Sequence, residues 1–96
     1  MNKPLCYDLV ANRGVLFGTV NRRCWPRPLG FVQINNYGPG PVSVRMNDDG
    51  EATFTLPAHW GQVFNAIDLT ITSLDFALAD DWMEYAKLTL MVGVPQ

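Results

Sequence analysis

Charge is what this 96-residue chain has least of. Asp, Glu, Lys and Arg make up 17% of it, little for a small domain whose surface needs polar cover. Its 7 basic residues form no stripe able to neutralise a phosphate backbone, and the formal net charge is -2, so duplex DNA or RNA is not an expected partner. A small anion is not excluded, because one or two arginines and some backbone amides can hold it. Cysteine is scarce too: Cys6 and Cys24 are too few for a disulfide framework and read as reduced thiols of a cytoplasmic protein. With His59 as the one histidine, there is no set of paired ligands for zinc, and no metal or cofactor is expected. The first residues lack the apolar core of a signal peptide, and no run approaches the length of a membrane span.

What is present is apolar surface. Hydrophobic residues are 48% of the chain, enough for a core in one domain covering residues 1–96. An apolar bias with so few charges points to self-association, since obligate interfaces are apolar. No internal repeat, linker or low-complexity segment divides the chain.

Periodicity gives an α+β expectation, a small and mostly antiparallel sheet with one or two short helices. Residues 42–46 and 52–56 alternate apolar and polar, and Asn47-Asp48-Asp49-Gly50 between them has hairpin chemistry, with Gly50 free to take positive backbone angles. Strands are also expected at 15–20, 30–35 and from Tyr85 onward. Residues 36–41 hold two glycines and two prolines and read as a loop. Residues 5–12 fit neither template clearly. Residues 62–68 read as a turn of helix or a loop. Thr72 or Ser73 is placed to cap a helix over 74–81.

Two stretches carry candidate chemistry. In residues 21–28 three arginines (Arg22, Arg23, Arg27) surround Trp25, held extended by the proline after it. Guanidinium forks pair with phosphate oxygens, and the indole offers a flat stacking face. Asp80, Asp81 and Trp82 supply acceptors for ribose hydroxyls or an exocyclic amine beside a second indole. Core packing is the competing reading of each ring, and the plainer one for Trp60 and Phe31. Asp80 and Asp81 are a poor acid/base pair, since adjacent side chains point in different directions. His59 has no identified nucleophile beside it, so no catalytic set is assigned and no enzyme is expected.

Val20-x-Arg22-x-x-Trp25, with Phe31 six positions on, resembles the first motif of the Thoeris anti-defence 2 family of phage proteins. Leu78-Ala79-Asp80-Asp81-Trp82 resembles the acidic motif near that family's end. Together they cover about a fifth of the chain. The chain departs from the pattern at Pro26 and Pro28, at the spacing of Asp75, and in lacking a leading amphipathic helix. The resemblance implies a small α/β homo-oligomer, a dimer or tetramer, in the cytoplasm of an infected bacterial host. It would sequester a cyclic nucleotide or cyclic ADP-ribose signal without cleaving it. Arg22, Trp25, Asp81 and Trp82 are the ligand-contacting positions it carries over, and Phe31 stands at the matched aromatic. The alternative is a small protein-binding inhibitor, of host defence or CRISPR, or a minor virion component.

Overall fold

Period-two alternation runs through strand after strand in the computed structural model, which describes residues 2–18, 21–65, 70–80 and 82–95. On β1 (Asn2–Asn12) Leu5, Tyr7, Leu9 and Ala11 face the interior. On β8 (Tyr85–Pro95) Ala86, Leu88, Leu90 and Val92 do the same. The short β2 (Arg23–Cys24), β3 (Phe31–Pro39), β4 (Val42–Met46), β5 (Thr53–Leu56), β6 (Gly61–Asn65) and β7 (Ser73–Leu78) complete the set. They form two four-stranded sheets, β1-β8-β3-β6 and β2-β7-β4-β5, with every pairing antiparallel. Apart from the β4–β5 hairpin, each connection crosses from one sheet to the other, the eight-stranded jelly-roll order. The expected α+β fold is therefore corrected to all-β. Among the described residues there is no α-helix, only a 3-10 turn at Gly50–Ala52, and so no helix long and apolar enough to cross a membrane.

The helix expected over 74–81 is instead β7, a central strand laddered to β2 on one side and β4 on the other. Leu74 and Phe76 point into the core, while Ser73, Asp75 and Ala77 take the opposite face, the period of a strand. The Thr72 and Ser73 amides donate to Asn47 Oδ1 at 2.8 and 3.4 Å, so a residue from the hairpin serves where a helix cap was expected. The hairpin itself forms, but its left-handed residues are Asn47 and Asp48, each at φ 56°, and not Gly50. Both are types that tolerate that region.

Residues 15–18, expected within a strand, belong to a strap across the outer face of the β2-β7-β4-β5 sheet; residues 19 and 20 lie outside the described set. The strap buries Asp75 to 1% exposure, under hydrogen bonds from the Gly18 and Phe76 amides. Gly18 turns there at φ 84°, in the region side chains avoid. The Phe17 ring lies 4.4 Å from the Arg45 guanidinium, which is 3.8 Å from Asp75. Residues 62–65, expected as a turn of helix or a loop, belong to edge strand β6, and residues 66–68 of that stretch lie outside the described set. At the opposite edge of that sheet, Val10 turns its carbonyl away from β8 to accept from Asn21 Nδ2 at 3.1 Å. By alternation Pro4, which has no N–H, faces the same free edge.

Side chains fill the interior: Phe76, Ile34, Leu74, Leu88 and Leu90 are the largest of those fully buried. Phe76→Ala is expected to cost about 3–5 kcal/mol of stability, read by urea unfolding, because the site is enclosed on all sides and collapses little.

Candidate functional site

Four inter-sheet links begin at one end of the sandwich. The Arg13 amide donates to Glu84 O at 2.8 Å, the Gly40 amide to Tyr85 O at 3.2 Å, and the Ala79 amide to Pro41 O at 2.9 Å. Asn36, 1% exposed, ties this end together. Its Nδ2 donates to Gly40 O and Leu56 O, both at 3.0 Å, and its Oδ1 accepts the Gly38 amide at 2.8 Å. Its backbone accepts from the His59 amide at 2.7 Å and donates to Trp60 O at 2.9 Å. Close packing holds the Gly40 corner as well, since a Cβ there would lie 2.8 Å from Leu78 Cδ1 and 3.0 Å from Met83 Cβ.

Large apolar groups stand in solvent on this scaffold. Trp82 is 91% exposed, Trp60 64% and Tyr37 57%, and Met83 in the β7–β8 link and Tyr85 at the start of β8 are exposed too. Asp80 Oδ1 accepts the Trp82 amide at 2.9 Å, an Asx turn that fixes the backbone from which the indole projects. His59 holds a left-handed backbone at φ 66° next to Trp60. Trp60, assigned by the plainer sequence reading to core packing, is thus a surface group, and so is Tyr37, whose only signal in the sequence is its turn-rich setting.

The residues of the first motif lie elsewhere. Trp25 is 8% exposed, packed edge-on against Tyr7 with ring centroids 6.3 Å apart, and its amide donates to Thr72 O at 2.9 Å. Arg22 grips Asp48 with both prongs of its guanidinium, Nε at 2.9 Å and Nη2 closer still. Arg23 lies 5.7 Å from the Tyr7 ring centroid, and Arg27 donates to Pro95 O at 3.1 Å. Phe31 opens β3 opposite Gly93 and Asn65, on the outer side of its sheet. Trp25 therefore sits before the start of β7 and Trp82 past its end. Six residues of strand set about 17 Å between them within one chain. Trp25 and Trp82, the described indoles of the two motifs, do not meet in a single copy. Asp81 lies outside the described residues.

The Asp48 carboxyl is held below its ordinary value of 3.8 chiefly by the hydrogen bond from Arg22, and the same bond raises the Arg22 guanidinium. Cys6 and Cys24 are free and exposed. Among the described residues no three His, Cys, Asp or Glu side chains are grouped to hold a metal ion, and no cavity opens. The arrangement can stack and dock at its aromatic end.

No protein-family model and no curated protein matches the chain. Among solved structures it is similar to the solution NMR structure of a de novo designed double-stranded β-helix. The two are 11% identical, with a TM-score of 0.44 over 96% of this chain and 97% of that one. That likeness is too slight to bear on function.

Trp25→Ala is expected to lower stability by about 3–5 kcal/mol in chemical unfolding, whereas Trp82→Ala changes it by less than about 0.5 kcal/mol. A carboxyl whose folded pKa is depressed stabilises the fold above its unfolded value and loses that contribution as pH falls through the folded one. The small advantage of the wild type over Asp48→Asn should therefore be full near neutrality. It should vanish below pH 3.8, as read by thermal melts across pH.

Proposed function

We infer that the protein acts by binding and not by catalysis, docking through its aromatic end on a partner protein that offers an apolar cleft for an indole. The observation that carries this reading is Trp82, 91% exposed on a turn tied by its own Asp80. An indole held in water on an ordered backbone contributes nothing to a core. It is also among the side chains that dominate protein interfaces when buried there. Trp60, Tyr37 and Met83 share the end, and Asp80, Glu84, Arg13 and His59 supply a polar rim, the usual anatomy of a docking surface. Among the described residues side chains fill the interior and no cavity opens, which favours a contact surface over an enclosed small molecule. The jelly roll serves capsid, lectin and cupin domains alike, and so does not choose among functions.

A second reading keeps the nucleotide signal that the two motifs suggest. Trp82 beside Asp80 is suited to stack a base and accept from a ribose hydroxyl, so a cyclic nucleotide or cyclic ADP-ribose would sit against the second motif. Arg22 would then have to come from another copy, because β7 separates it from Trp82, and Trp25 would be structural. Such a sponge works by mass action, tight and unreactive.

One experiment divides the readings. A photo-crosslinking residue in place of Met83 is expected to yield a discrete protein adduct in host extract. That adduct should be lost on Trp82→Ala or Trp60→Ala while the melting temperature holds. In parallel, the protein is incubated with cyclic nucleotides and ADP-ribose isomers, and bound ligand is released by heating. Intact ligand recovered from the wild type but not from Trp82→Ala, with no adduct, replaces docking by sequestration; a chemically altered product overturns both.

A further inference from the structure

The two sheets differ in what covers their outer faces. Residues 15–18 strap the β2-β7-β4-β5 sheet, while the outer face of β1-β8-β3-β6 carries no segment of the chain that the structure describes. Register aligns Cys6, Met91, Gln33 and Val63 in one row across all four of its strands, and Phe31 lies on the same face. Only two charged residues among those described point outward here, Asp8 on β1 and Lys87 on β8. They are diagonal neighbours: Asp8 pairs with Thr89, and Lys87 with Val10. Both are exposed, and neither makes an ion pair or side-chain hydrogen bond among the described residues.

We propose that this face is the contact between two copies of the chain, related by a two-fold axis that sets Asp8 of each copy against Lys87 of the other. An isologous contact must be complementary to itself, and a face bearing one charge of each sign in an otherwise uncharged field meets that condition. The four strands hold 11, 11, 9 and 5 residues, and at about 3.3 Å per residue and about 4.8 Å between strands they present roughly 570 Å² per copy, or roughly 1,100 Å² buried in a pair. That falls at the lower limit of specific association, so the dimer is modest and concentration-dependent. Met91, Phe31 and Val63 supply the apolar contact such an interface needs. The low charge content of the whole chain agrees with a surface partly covered by a second copy. By alternation Tyr37 on β3 and Tyr85 on β8 also point outward here, so this face borders the aromatic end. Dimerisation is read by mass and the proposed docking by the adduct lost on Trp82→Ala, so either can fail without the other.

The test is sedimentation equilibrium from micromolar to millimolar concentration, with circular dichroism and thermal melts confirming the fold of each variant. The wild type is expected to reach a monomer–dimer equilibrium that stops at two copies. Asp8→Lys or Lys87→Asp alone sets like charges together twice and should weaken the dimer at least about tenfold. The double exchange Asp8→Lys with Lys87→Asp should return the constant to near the wild-type value, and Met91→Asp should leave a folded monomer. A wild type monomeric throughout overturns the proposal. A dimer indifferent to the single exchanges, or a double exchange no better than the singles, also overturns it.

Discussion

One buried amide orders the end of the molecule where function is argued to reside. Asn36 has no water to turn to, so its donors and acceptors must be met by the chain. It meets them with Gly38, Gly40 and Leu56 through its side chain and with His59 and Trp60 through its backbone. These partners come from both sheets and from two separate links. The positions of Tyr37 and Trp60 are consequences of that network, not of contacts between the rings themselves. A hydrophobic residue in its place would fill the volume and leave three polar groups unmet, which is why an amide stands at this point of the core.

The strap is the counterpart at the middle of the molecule. Asp75 is an acid on a central strand, and it is tolerated because the Gly18 and Phe76 amides and Arg45 surround it. Phe17 in turn covers Arg45. The β2-β7-β4-β5 sheet thereby acquires a second, small layer that is part polar and part aromatic.

The readable parts of the fold were those whose cause is local. The hairpin around Asn47 and Asp48 declares itself because turn and alternation lie within a few residues of each other. β7 was misread because Thr72 and Ser73 look like helix caps. The decisive partner, Asn47, is 25 residues from Thr72, and the two flanking strands are equally remote in sequence. The alternation of Ser73-Leu74-Asp75-Phe76-Ala77-Leu78 was nonetheless present in the sequence. Among the candidate residues, the exposure of Trp82 agrees with its acidic, turn-forming neighbours. The burial of Trp25 depends on Tyr7 from β1 and on Thr72, which a proline-bounded loop gives no means of foreseeing. The aromatic end was invisible as a unit because its rings come from the end of β3, the β5–β6 link and the β7–β8 link, which adjoin only after folding.

The free border of β1 carries a consequence for behaviour at high concentration. An eleven-residue strand with one side unpaired among the described residues is a natural template for adding further strands, the first step toward fibrous polymer. Here Asn21 already occupies the Val10 carbonyl, and Pro4 offers no hydrogen to an incoming chain. Lateral growth of this sheet is therefore blocked near both ends of its longest exposed border, and an apolar, weakly charged chain is kept from polymerising along that side.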